Sequence, residues 1–303
     1  MKASFYLLRL TFILLFAGFL SQALAQYGDW KHSGSMYLVT DSAGADLPAS
    51  AVEQNFPLLV RLNKEYFDFS QAKPRGEDVR FSSKGKPLAY QIERWDAEGG
   101  EADVWVRIPT IKGKDQQAIR MHWGKDKVSS ESNGEQVFRT MEGFAGVWHL
   151  GDNLEDATSN NLDGVNRPDK PTVNTTGIIG DAQEFGVNQI LVIRPPGAKS
   201  GRRVTCMPSG NADRTMSAWV NPTSFEGRNW AQASIGGWGE PERGQKPNMG
   251  LSYFTMTGRG QPRFHLYGFD PRCASLLPRD EWRHVALAVS GDMVRFYVDG
   301  ILE

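Results

Sequence analysis

Little in this chain of 303 residues announces a chemical reaction. It has no G-x-S-x-G segment and no Walker-type loop, so the usual signatures of a nucleophile elbow and of a phosphate cradle are missing. Its five histidines, His32, His122, His149, His265 and His284, do not stand at metal-ligand spacing from another His, Cys or acid. Neither sign of charge is in excess. The formal net charge is −1, and a general nucleic-acid binder needs a basic surplus to release counterions. Cysteine is scarce: Cys206 and Cys273 are the two present, which excludes a disulfide-dense scaffold. In an oxidising compartment they would make one bridge across a long loop, contributing roughly 4 kcal/mol on the chain-entropy model. Spacing alone does not choose between that bridge and two separate thiols. Long helical periodicity is absent after the first 25 residues, and no later stretch is apolar enough to cross a bilayer.

What is present begins with export. Lys2 and Arg9 precede an apolar run over residues 10–20, and Ala23-Leu24-Ala25 offers a small-x-small cleavage site before Gln26. The run is shorter than the roughly 20 residues that span a membrane. Residues 1–25 therefore read as a secretory signal peptide. The expected location is periplasmic or extracellular, at the cell surface, with no transmembrane segment after cleavage.

Beyond the signal, period-2 alternation dominates. GDWKHSGSMYLVT opens with an edge strand. FPLLVRL (56–62), DVRF (78–81), LAYQIERW (88–95), DVWVRIP (103–109) and QAIRMHW (117–123) follow. Leu88, Tyr90 and Ile92 share a face, as do Val104, Val106 and Ile108, and again Ile119, Met121 and Trp123. Turn-rich separators at 83–87 and 98–100 complete the pattern of a β-sandwich over residues 26–124. A polar connector is expected at 125–136, and a second domain over 137–303. In that domain GFAGVWHL (143–150), GIIGDAQEFG (177–186), ILVI (190–193), RTMSAWVNP (214–222), Ile235–Gly239, GLSYFTM (250–256) and PRFHLYGF (262–269) read as strands.

The clearest element lies in WRHVALAVSGDMVRFYVDG (282–300). Folding it at Gly291-Asp292 sets Val289 against Val294, Leu287 against Phe296 and Val285 against Val298. Every pair on that face is apolar, and a one-residue slip would place all of them in water. The expected fold is all-β: two tandem β-sandwiches.

GVWHL, DATSNNLDG, GIIGDAQEF, TMSAWVNP and EWRHVALAVSGDMVRFYVDG, in that order, resemble a laminin-G-like, concanavalin-A-like jelly roll over 137–303. NFPLLVRL, GEDVRF, PLAYQIERWD, ADVWVRIP and IRMHWG resemble a bacterial β-domain of unknown function that precedes such jelly rolls in exported proteins. Together the pair resembles the extracytoplasmic region ahead of some MotA/TolQ/ExbB-family proton channels. The resemblance implies further strands after YVDG. The chain is thus expected to be a fragment whose jelly roll lacks its last strands.

Three kinds of chemistry have candidate residues. Asp152, Asp156 and Asp163, with Asn160, lie in one loop and supply the oxygen ligands a calcium ion takes. The same residues also make an ordinary Asx-rich turn. Where the resembled family carries F-D-G-x-x-D-Y, this chain has Phe185-Gly186-Val187-Asn188-Gln189-Ile190, with Gln in place of an acid. Calcium is the one cofactor in view. Trp230, Trp238, Tyr253 and Tyr267 could stack on sugar rings, or equally fill the sandwich core and rim. Glycoside hydrolysis needs two carboxyl groups roughly 5–10 Å apart. The nearest run, Glu101-Ala102-Asp103, has no third acid, and Asp299 has no partner acid. The expected activity is non-catalytic recognition of a glycan or a cell-envelope protein. The alternatives are the docking region of a proton-channel protein and a carbohydrate-active enzyme.

Overall fold

The computed structural model describes residues 26–186, 189–193, 204, 206–208, 212–225, 233–238, 252–265 and 270–303. The chain is nearly all β and divides into two compact units, residues 1–190 and 191–303. The first unit carries β1 (His32–Val39), β2 (Val52–Asn63), β3 (Arg80–Ser83), β4 (Lys86–Leu88), β5 (Tyr90–Asp96), β6 (Glu101–Lys112) and β7 (Gln116–Trp123). A single-turn helix α1 (Gly134–Val137) follows, then β8 (Gly164–Asn166), β9 (Val173–Thr176) and β10 (Asp181–Glu184). The second unit carries β11 (Leu191–Ile193), β12 (Arg214–Val220), β13 (Ala233–Trp238), β14 (Ser252–Met256), β15 (Pro262–His265), β16 (Arg283–Ser290), β17 (Met293–Val298) and β18 (Ile301–Leu302).

In the first unit a four-stranded sheet, β1-β7-β3-β4, faces a three-stranded sheet, β2-β6-β5. The alternation read from sequence supplies the core between them. Phe81, Val104 and Val106 are fully buried, and Ile108, Ile119 and Met121 nearly so. Burying apolar side chains of this size contributes about 1.5–3 kcal/mol each. β5 carries a bulge: Ile92 pairs with Val104 and Arg94 with Asp103, leaving Glu93 as the extra residue. A bulge re-aims a side chain, and Glu93 is turned onto the outer face of its sheet, against Trp105.

The expected connector at 125–136 is tied into this unit. Arg80 donates to Ser129 O, Glu131 N donates to Tyr90 Oη, and Ile92 N donates to Ser132 Oγ. The first unit then runs on to Ile190, so residues 137–190, expected to open the second domain, group with the first sandwich. GVWHL is not a strand. Trp148 makes one isolated bridge, to Asp156, and its indole donates to Leu162 O. Gly143, at φ 98°, sits just upstream in a left-handed conformation that breaks the extended run.

In the second unit the sheets are β12-β16-β17-β18 and β13-β14-β15. Phe254, Met256 and Phe264 from one pack with Val285, Leu287, Val289 and Phe296 from the other. The β16–β17 register is the one expected, with Val289 opposite Val294, Leu287 opposite Phe296 and Val285 opposite Val298. Gly291 turns the hairpin at φ 53°, and the Asp213 carboxylate accepts from Gly291 N and Ser290 Oγ to fix it. A second tight turn follows, with Asp299 and Gly300 both at positive φ, returning the chain as β18.

Candidate functional site

The acid-rich loop does not assemble a ligand set. Asp156 is buried, and its carboxylate accepts from Val147 N, Thr158 N, Thr158 Oγ1 and Leu162 N at 2.8–3.0 Å. Asp163 accepts from Asp156 N, and Asp152 accepts from the Asn174 amide. Among the described residues no three His, Cys, Asp or Glu side chains converge on a point that could hold a metal ion. The expected calcium ligands Asp152, Asp156 and Asp163 are thus not brought to one point in the described residues. The Asp156 oxygens are spent on backbone N–H groups and a hydroxyl, which they hold in a tight loop.

The two cysteines are not joined. Cys273 is buried in the second core and Cys206 is exposed, so of the two states left open by spacing the bridge is not the one present. Burial pushes the Cys273 thiol up, away from the reactive thiolate.

Of the four aromatic candidates, Trp230, Tyr267 and the side chain of Tyr253 lie outside the described residues. Trp238 is half-buried, with its indole N–H committed to Pro208 O at 2.6 Å.

Two polar constellations in the first unit carry no signal in the sequence. On the outer face of β2-β6-β5, His149 Nδ1 lies 3.0 Å from Glu93 and its Nε2 lies 3.0 Å from Gln91 Oε1. Trp105 donates to Glu93, Trp105 and Phe138 flank the imidazole, and Arg107 pairs with Glu142. Asp103 is engaged by Arg61 and by Gly180 N. These contacts fasten residues 138–180 to the sheet, and the Glu93 side chain is only 8% exposed. On the other sheet, Ser82 Oγ and His122 Nε2 are 2.9 Å apart. A working Ser–His pair needs a third group to orient the base. Here Tyr27 covers the His122 ring, and no acid hydrogen-bonds it among the described residues. Burial, then Arg120, lowers the His122 pKa and favours the neutral ring.

A different surface is open. β12, β16 and β17 send alternate residues inward, which leaves three rows on the outer face of the four-stranded sheet. Trp219 stands opposite His284, Ser217 opposite Ala286 and Tyr297, and Thr215 opposite Ala288 and Arg295. Trp219 is 41% exposed and meets the His284 ring edge-on at 5.3 Å. Burial lowers the His284 pKa, against an upward pull from Asp299. Asp299 itself is held below the usual carboxylate range by His284 N and Arg283. Small side chains at Ser217, Ala286 and Ala288 leave a shallow floor between Trp219, Tyr297 and Arg295. The hydroxyls of Thr215, Ser217 and Tyr297, the Trp219 indole N–H and the Arg295 guanidinium make no hydrogen bond or ion pair among the described residues. The sequence signal is present in RTMSAWVNP, where the outward alternation includes Trp219, but core alternation alone marks Trp219 only as a spacer between buried positions.

Comparison with known families divides the chain. Residues 75–151 match a family described as Domain of unknown function (DUF2341), and residues 198–303 match the Concanavalin A-like lectin/glucanases superfamily. No curated protein and no solved structure matches the chain. A segment similar to the first family is thus followed by one similar to the second, and Trp219, His284, Arg295 and Tyr297 all fall within the second match.

Proposed function

We propose that this chain is an exported, non-catalytic recognition module whose second unit binds a glycan. The observation that carries the reading is the outer face of the β12-β16-β17-β18 sheet, where Trp219 is exposed over a floor of small residues. A sugar ring offers a flat C–H face that packs on an aromatic ring, and hydroxyls that pair with nearby polar groups. Thr215, Ser217 and Tyr297 supply such groups around the floor. The match of this unit to a lectin-containing superfamily is consistent with the reading. Hydrolysis is left out because the acids nearest to a hydrolytic pattern are otherwise engaged: Asp103 with Arg61 and Gly180 N, and Asp299 with Arg283 and His284 N. Export rests on the pattern of residues 1–25.

The test is a polysaccharide-retention and glycan-array screen of the full chain, with Trp219→Ala beside it. Retention by at least one polysaccharide is expected, weakened about tenfold in W219A, as befits loss of one stacking ring. No reducing ends should appear in the same mixtures. Absence of any retention overturns the glycan reading, and release of reducing ends overturns its non-catalytic part.

A further inference from the structure

The sheet that carries Trp219 also carries the one arginine on that face without a counter-charge among the described residues. Arg283, at the sheet end, is paired twice, with Glu281 and Asp299. Arg295, in the row with Thr215 and Ala288, has no acid beside it among the described residues. This contrasts with the outer faces of the first unit. There Arg61, Arg107 and Arg120 are each satisfied, by Asp103, Glu142 and Ser33. An arginine held on a sheet face with its planar fork unfilled is suited to a carboxylate, which it grips through two parallel hydrogen bonds.

We infer that the ligand of this face is a polysaccharide bearing carboxylates, with a sugar ring on Trp219 and a uronate carboxylate on Arg295. The inference rests on the glycan reading above and names the chemical class of the ligand. Strand spacing and rise put the two anchors about 17 Å apart on the diagonal, with the Ala286 position midway between them. One sugar unit cannot bridge that distance, so the ligand is a chain of several units lying across β12, β16 and β17. Ala286 and Ala288 let that chain approach the sheet, and Tyr297 and Ser217 offer hydroxyls midway. A larger side chain at Ala286 would stand midway between Trp219 and Arg295 and block the passage.

Binding of the full chain to polygalacturonate, to alginate and to carboxyl-reduced polygalacturonate tests this. Arg295→Gln, Arg295→Lys and Ala286→Phe are carried alongside, each checked for an unchanged circular dichroism spectrum and thermal midpoint. The expected result is tighter binding of at least one acidic polymer than of the reduced one, weakened by added salt as exposed charge pairs are screened. R295Q should lose about tenfold or more on the acidic polymer and little on the reduced one. R295K should fall between, because a point charge lacks the fork. Equal binding of acidic and reduced polymers, or an unaffected R295Q, overturns the carboxylate inference while leaving glycan binding in place. Failure to bind either acidic polymer overturns it too. If the array screen also shows no retention, the parent reading falls with it. Should R295Q prove unstable, A286F tests the same path, since it leaves both anchors and blocks the way between them: weakened binding of the acidic polymer supports the inference, and unchanged binding overturns it.

Discussion

At the residue scale, Asp156 shows how a loop carboxylate and a metal ligand look alike in sequence. Its neighbours Asp152, Asn160 and Asp163 give the density of oxygen that calcium seeks, yet the geometry turns Asp156 inward on four donors. Replacing it with alanine would strand the backbone N–H groups of Val147, Thr158 and Leu162 in a buried loop. Asp156→Ala is expected to cost about 3 kcal/mol or more, read as a lower urea midpoint, because hydrogen bonds to a charged acceptor are the stronger kind. The thermal midpoint of the unmodified protein should be the same with calcium as with a chelator. A rise on adding calcium would show that a cation is held after all. Direction of approach separates the two roles, and residue identity carries no information about direction. For the same reason Glu93 was not legible as a partner of His149. The bulge that turns it outward is a pairing irregularity between Ile92 and Arg94, and LAYQIERW reads as an unbroken strand.

At the element scale, the sheets of both units follow from alternation, and the departures from it are local. Val104, Val106 and Ile108 are placed inward by period alone and are buried. In the β16–β17 hairpin, turn chemistry and apolar pairing agree, so the register has one solution. β18 is not legible although Asp299-Gly300 is a strong hairpin dipeptide, because only three residues follow Gly300 and no alternation can be seen in them. GVWHL misleads because a short apolar run has no period long enough to tell a strand from a packed loop. The burial pattern predicts where damage spreads. Phe81 sits on β3 between the two sheets with no exposed surface, and its ring lies 5.4 Å from that of Tyr90. Phe81→Ala should destabilise the first unit by about 3–5 kcal/mol through lost transfer energy and a residual cavity. Chemical denaturation followed by tryptophan fluorescence checks it. A cost below about 1 kcal/mol would mean that the sheets close over the gap.

At the scale of the whole molecule, the titratable groups favour folding over a bounded range of pH. His122 in the first unit and His284 in the second both have folded-state pKa values below the ordinary one, with burial the larger cause in each. Arg120 adds to the depression at His122, whereas Asp299 opposes it at His284. Below about pH 6.5 the unfolded chain takes up these protons first, so stability present above that pH is lost as pH falls. Asp41, Asp68, Asp96 and Asp299 are held below the usual carboxylate range by hydrogen bonds, chiefly from Gln116, Ser70, Gly99 N and His284 N. Their contribution is present above the unfolded carboxylate value and is lost further down, as pH falls through the folded ones. Tyr27 and Tyr90 are raised by burial, so the opposite loss begins as pH climbs past about 10. The thermal midpoint should therefore hold level from about pH 7 to 9 and fall on both sides. The double variant His122→Gln, His284→Gln should flatten the decline between about pH 6.5 and 5 while sparing the carboxylate-driven loss below it. A midpoint that rises as pH drops from about 7 to 5, or a decline unchanged in the double variant, would show that the two half-buried imidazoles do not govern that window.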